Sequence, residues 1–118
     1  MWIFANNSFV SVVEDRGDST KLVVRGRLPG DVERAVPAAV GFVSVTPDHD
    51  YRYRATLPRD VVAAAIHAHV AGIDYPNFKG SVDSRQRPLF LHALHDVWSV
   101  MHQLQREVAA RRRPGGSL

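Results

Sequence analysis

The chain has 118 residues, enough for one ordinary domain and too few for two, and its 45% hydrophobic and 23% charged residues are those of a chain that packs a core. It contains no cysteine, which excludes disulfides, thiolate metal sites and cysteine nucleophiles. The net charge is +3, but Arg111, Arg112 and Arg113 supply three positive charges just before Pro114-Gly115-Gly116, so the body is close to neutral and the basicity is weak evidence for a nucleic-acid partner.

Trp2-Ile3-Phe4-Ala5 is a short apolar run, Asn6-Asn7-Ser8 a turn signal and Phe9 to Glu14 a second strand, which together read as a hairpin. This opening lacks the charged and apolar regions of a secretory signal, and no apolar run approaches the ~20 residues that span a bilayer. A cytoplasmic chain without membrane contact is therefore expected. Asp15-Arg16-Gly17-Asp18-Ser19 makes a further reversal. Lys21 to Leu28 then alternates, with Leu22, Val24 and Leu28 on one side and Lys21, Val23, Arg25 and Arg27 on the other. Pro29-Gly30 ends this strand, and Asp31 is placed to cap a short helix to Val36, stopped by Pro37.

Residues 40–46 read as a fourth strand ended by Pro47, and Asp48-His49-Asp50 as a turn whose two carboxylates suit weak cation binding or, more simply, solvation. Tyr51 to Leu57 is a fifth strand, with Tyr51, Tyr53, Ala55 and Leu57 towards the core and Arg52, Arg54 and Thr56 away from it. Pro58 opens a helix in which Val62, Ala65, Ile66, His69, Val70 and Ile73 recur at helical spacing. Asp74-Tyr75-Pro76-Asn77 interrupts it. A last helix over Pro88–Ala110 carries an apolar stripe of Phe90, Leu94, Val97, Trp98, Met101, Leu104 and Val108.

The fold class that follows is α+β: a mainly antiparallel sheet of about five strands, one short helix, and two C-terminal helices packed on one face. Residues 1–110 form the expected single domain and 111–118 a disordered basic tail. The long last helix and Trp98 leave a homo-oligomer open.

Several stretches together resemble a family of small, uncharacterised bacterial proteins. They are Met1-Trp2-Ile3-Phe4, Phe9-Val10-Ser11-Val12-Val13, Val24-Arg25-Gly26-Arg27, Asp50-Tyr51-Arg52-Tyr53-Arg54, Ile73-Asp74-Tyr75-Pro76-Asn77-Phe78-Lys79 and His95-Asp96-Val97-Trp98-Ser99-Val100-Met101. The resemblance implies a self-contained domain and carries no catalytic residue with it.

Three groups of residues are candidates for a site. Arg25, Arg27, Arg52 and Arg54 share a polar sheet side with Lys21, where guanidinium forks suit phosphates or acidic protein patches. With Tyr51 and Tyr53 assigned to the core, base stacking there is not expected. The bland alternative is a solvated face of paired arginines. Tyr75, Asn77 and Lys79 offer a phenol, an amide and an ammonium in one loop, against the simpler role of a rigid corner in which Asn77 caps the next turn. His92, His95 and Asp96 sit within one helical stretch and would need a histidine of the preceding helix, His67 or His69, to hold a metal. Solvated or structural histidines are the simpler reading.

No phosphate loop, nucleophile elbow or metalloprotease spacing is present in the sequence. The expectation is a non-enzymatic binding or regulatory module without a cofactor, acting through the arginine face on a protein partner or a nucleic acid. Its rivals are a small metal-dependent hydrolase using the histidine/aspartate cluster, and a phage or mobile-element inhibitor of a host protein.

Overall fold

In the computed structural model, residues 1–112 are described. They fall into two compact units, Met1–Pro76 and the residues from Asn77 on.

The first unit opens with strands β1 (Trp2–Ala5), β2 (Ser8–Glu14) and β3 (Lys21–Gly26), an antiparallel meander. A short helix α1 (Asp31–Ala35) and a single turn at Pro37–Ala39 follow, then strand β4 (Ser44–Val45), strand β5 (Tyr53–Pro58) and helix α2 (Arg59–Ala71). The five strands form one antiparallel sheet in the order β1-β2-β3-β5-β4, so the α+β reading holds.

Strand alternation sorts the side chains onto two faces. Val10, Val24, Ala55 and Leu57 meet Val32, Ala35 and Val36 of the α1 region and Val62 of α2, with Ile3, Val12, Leu22, Tyr53, Val61, Ala65 and Ile66 packed around them. Val10, Val24 and Val32 are fully buried, each worth roughly 1.5–3 kcal/mol of burial free energy. Gly26 ends β3 beneath α1, and a Cβ there would stand 3.1 Å from a methyl of Val32.

Several local readings change. Asp31 does not cap α1; it lies inside the first turn, and Gly30 takes the cap position at φ +85°. The Asp31 carboxylate is buried because it reaches across to the first hairpin, accepting from the Phe9 N–H at 3.1 Å and from Arg34 at 2.8 Å. Arg34 also donates to the carbonyls of Asn7 and Pro29. The strand expected over 40–46 shrinks to Ser44–Val45, because Gly41 at φ +85° and the Phe42 N–H bonded to Ala39 prolong the preceding turn. The strand from Lys21 stops at Gly26, which leaves Arg27 and Leu28 outside the sheet.

β5 runs into α2 without a loop. Its anchor is Arg59, which pairs with Glu14 at 2.7 Å and donates to the Ser19 carbonyl. In the second unit a turn at Lys79–Ser81 precedes helix α3 (Pro88–Arg112). The helix includes Arg111 and Arg112, two residues of the expected tail; 113–118 lie outside the described residues. Among the described residues, no helix is long and apolar enough to cross a membrane.

Candidate functional site

The sheet face turned away from the Val10–Val24 core carries the most unusual arrangement in the first unit. Register places Ser11, Arg25 and Arg54 in one row across β2, β3 and β5, with Trp2 of β1 opposite Ser11. Like charges directly opposite one another on neighbouring strands are unfavourable, so Arg25 facing Arg54 is costly to the sheet. Neither arginine has a carboxylate within ion-pair distance among the described residues; of the acids nearby, Glu14 pairs with Arg59, Asp50 with Arg27, and Asp15 accepts from the Gly17 N–H.

Tyr51 organises the cations. Tyr51 is 4% exposed, and two guanidinium groups stand over its ring, Arg25 at 4.5 Å and Arg27 at 4.1 Å from the ring centre. The expected core position of Tyr51 is therefore corrected: β5 begins only at Tyr53, and Tyr51 belongs to the arginine side. Tyr53 does pack against the core. The chain before β5 is fixed by Thr46, whose hydroxyl donates to the Tyr51 and Arg52 carbonyls, and Arg54 Nε donates to the Tyr51 carbonyl at 3.3 Å.

Arg25 also donates to Ser11 Oγ at 2.6 Å, while its Nε is buried without a hydrogen-bond partner. Arg27 bridges to Asp50 at 2.9 Å from beyond the end of β3. That hydrogen bond, with the charges of Arg27, Arg25 and Arg54, holds the Asp50 carboxyl below the usual carboxylate value and raises Arg27. Arg52 is exposed and precedes the strand. The structure thus brings Arg25, Arg27 and Arg54 around Tyr51, and leaves Arg52 outside the paired row.

Between the arginines and the β2–β3 reversal lies a hollow of about 570 Å³, lined by Val13, Val23, Arg25, Arg54 and His49 with Glu14, Asp15 and Arg16 at one end. Val13 and Val23 give it an apolar part, and Arg16, Arg25 and Arg54 give it cations. On the β1–β2 side of the same face, Trp2, Phe4 and Phe9 cluster, with Phe4 stacked on Phe9 at 4.4 Å and Trp2 edge-on to Phe9 at 5.9 Å. Trp2 is 68% exposed. These aromatics and Val13 went unselected in the sequence, although the parity that pairs Trp2 with Ser11 was available once the Asn6-Asn7 turn fixed the hairpin register.

The loop candidates separate. Tyr75 is half-buried in the first unit, lining a cavity of about 280 Å³ with Ile66, His69 and Val70. In the second unit Asn77 Oδ1 accepts from the Gly80 N–H at 2.8 Å, but the cap position of the Lys79–Ser81 turn is held by Phe78 and not, as expected, by Asn77. Lys79 turns to α3, its ammonium 3.2 Å from His95 Nδ1 and 4.7 Å from the Trp98 ring centre.

The histidine cluster does not converge on a point. His92 faces Asp96 at 3.7 Å, whereas His95 is engaged with Lys79 and stacks on Trp98, which in turn stacks on His102. His69, in the first unit, contacts the Ala35 carbonyl at 2.7 Å. Among the described residues no group of three or more metal-ligating side chains is positioned to hold an ion. No family model, curated protein or solved structure matches the chain.

Proposed function

We propose that the chain is a non-enzymatic, cytoplasmic binding module that takes an acidic, partly apolar segment of a protein partner on the arginine face of its sheet. The observation that carries this reading is the cross-strand Arg25–Arg54 pair, two cations held side by side without a carboxylate of their own. An incoming carboxylate relieves that repulsion and accepts charge-assisted hydrogen bonds from the guanidinium groups. Val13 and Val23 suit an apolar side chain beside the acid, and an exposed Trp2 in the same cross-strand row as Arg25 and Arg54 has the composition of an interface hot spot.

A single-stranded nucleic acid fits this face less well. Such ligands stack successive bases on successive open rings. Here Phe4 and Phe9 cover each other and two guanidinium groups stand over Tyr51, so of these four rings among the described residues only Trp2 is largely exposed.

The test is a pair of NMR titrations of the full chain, one with a Glu/Leu-containing peptide and one with a single-stranded oligonucleotide. The expected result is saturable shifts at Trp2, Val13, Val23, Arg25 and Arg54 with the peptide, lost in the Trp2→Ala/Arg54→Glu variant while its circular dichroism is unchanged. Stronger, salt-sensitive shifts with the oligonucleotide would move the face to phosphate binding. No shift with either ligand would reject the site.

A further inference from the structure

The second half of α3 has an apolar stripe that its own unit leaves uncovered. Phe90 and Leu94 are buried, but Val97, Met101, Leu104 and Val108 are 39%, 56%, 49% and 43% exposed. The spacing from Phe90 through Leu94, Val97, Met101, Leu104 and Val108 alternates between four and three residues without a break. Over these five steps the stripe stays on one side of α3, so its residues can be lettered as the a and d positions of a heptad repeat, the seam that one helix sets against another.

Heptad lettering of α3 sorts the rest of the surface. Leu94, Met101 and Val108 take the a positions and Phe90, Val97 and Leu104 the d positions. His95, Asp96, Ser99, His102, Gln103 and Arg106 all fall on the outer b, c and f positions. The g positions are Ala93, Val100 and Glu107, and the e positions Leu91, Trp98, Gln105 and Arg112.

Charge then selects the orientation. In a parallel, in-register pair of identical helices, a g residue meets the e residue five places further along the other chain. Glu107 of each copy meets Arg112 of the other, twice by symmetry. An antiparallel pair sets g against g and e against e; the g positions hold no cation and the e positions no acid, so Glu107 and Arg112 stay unpaired. The last full layer, Leu104 at d with Val108 at a, is the combination that favours two strands, and Arg111 at the next d position closes the seam.

We propose that α3 associates with a second copy of this chain as a short parallel coiled coil over Val97–Arg112. The exposed seam is about two heptads long, so a weak association that rises with concentration is expected.

The test is sedimentation of the full chain over a hundredfold concentration range, with Leu104→Glu, Glu107→Arg, Arg112→Glu and the Glu107→Arg/Arg112→Glu double variant. Wild type is expected to pass from monomer to dimer. Leu104→Glu, at an exposed position that leaves the fold intact, raises the dissociation constant on the order of 100-fold. Each single charge reversal raises it roughly fivefold, and the double reversal restores it. Because the chain has no cysteine, Leu104→Cys gives a disulfide-linked dimer on mild oxidation in the parallel register, whereas Gln103→Cys on the outer side does not. A chain monomeric at every concentration, or a dimer indifferent to Leu104→Glu, overturns the proposal. A dimer that the charge swap fails to rescue overturns the parallel orientation.

Discussion

Replacing Asp31 by alanine tests how the first hairpin is tied to α1. The carboxylate is 1% exposed; one oxygen accepts from the Phe9 N–H at 3.1 Å and the other from Arg34 at 2.8 Å. A hydrogen bond to a buried charge contributes about 1.5–3 kcal/mol, and the Arg34 link adds only about 0.5 because that side chain is 40% exposed and screened. Asp31→Ala is therefore expected to cost about 2–4 kcal/mol, or roughly 10–25 °C in melting temperature for a unit of this size. Asp31→Asn keeps an acceptor for Phe9 and loses only the charge, so its cost is expected at about half. Urea denaturation followed by circular dichroism measures both. A loss under about 1 kcal/mol for alanine, or equal losses for alanine and asparagine, would refute the claim that the Phe9 contact anchors the hairpin.

Further expectations concern single positions. Asp50 titrates below its ordinary value of 3.8, chiefly through its hydrogen bond from Arg27, so the pair's contribution is complete above that value and fades as pH falls through the lowered folded value. An NMR carboxyl titration should show this, and Arg27→Gln should return the midpoint towards 3.8; an unmoved midpoint would remove Arg27 as the cause. Gly30→Ala must hold φ +85° and bring a Cβ to 2.6 Å from Arg34 Nη1, so a loss of about 1–2 kcal/mol is expected by chemical denaturation. Gly41→Ala, at the same φ with nothing within 4 Å, should cost about 1 kcal/mol; a larger loss there than at Gly30 would contradict the role given to Arg34. Tyr51→Leu removes the ring that Arg25 and Arg27 stand over and should weaken peptide binding on the arginine face without unfolding the chain, measured by the same titration.

The elements were legible where one physical signal dominated. Clean alternation located β3, proline and helical spacing located α2, and the long stripe located α3 to within a few residues. The errors arose where local chemistry had two outlets. An aspartate ahead of a short helix looks like a cap, but only the folded hairpin reveals the Phe9 amide that takes the carboxylate. Tyr51 shares parity with Tyr53, and parity misleads once the strand starts two residues later. The arginine face was visible as four cations. Its decisive features, Arg25 set opposite Arg54 and Trp2 in the same row, depend on pairing register, which a linear pattern does not encode. On α3 the apolar stripe was legible, but whether it faced a core could be read only from exposure.

The place of β5 in the sheet has a kinetic consequence. β1, β2 and β3 follow one another through tight reversals, so their pairing needs little loop closure. β5 docks beside β3 only after the chain has gone through α1 and β4, from Gly26 to Tyr53, and that closure is entropically slower. The row that unites Arg25 with Arg54 is therefore assembled late, and the binding surface is complete only when the sheet is. An opening that detaches β5 and the α2 joined to it would dismantle the cationic row before the meander loosens, so ligand affinity would report on that one seam of the sheet.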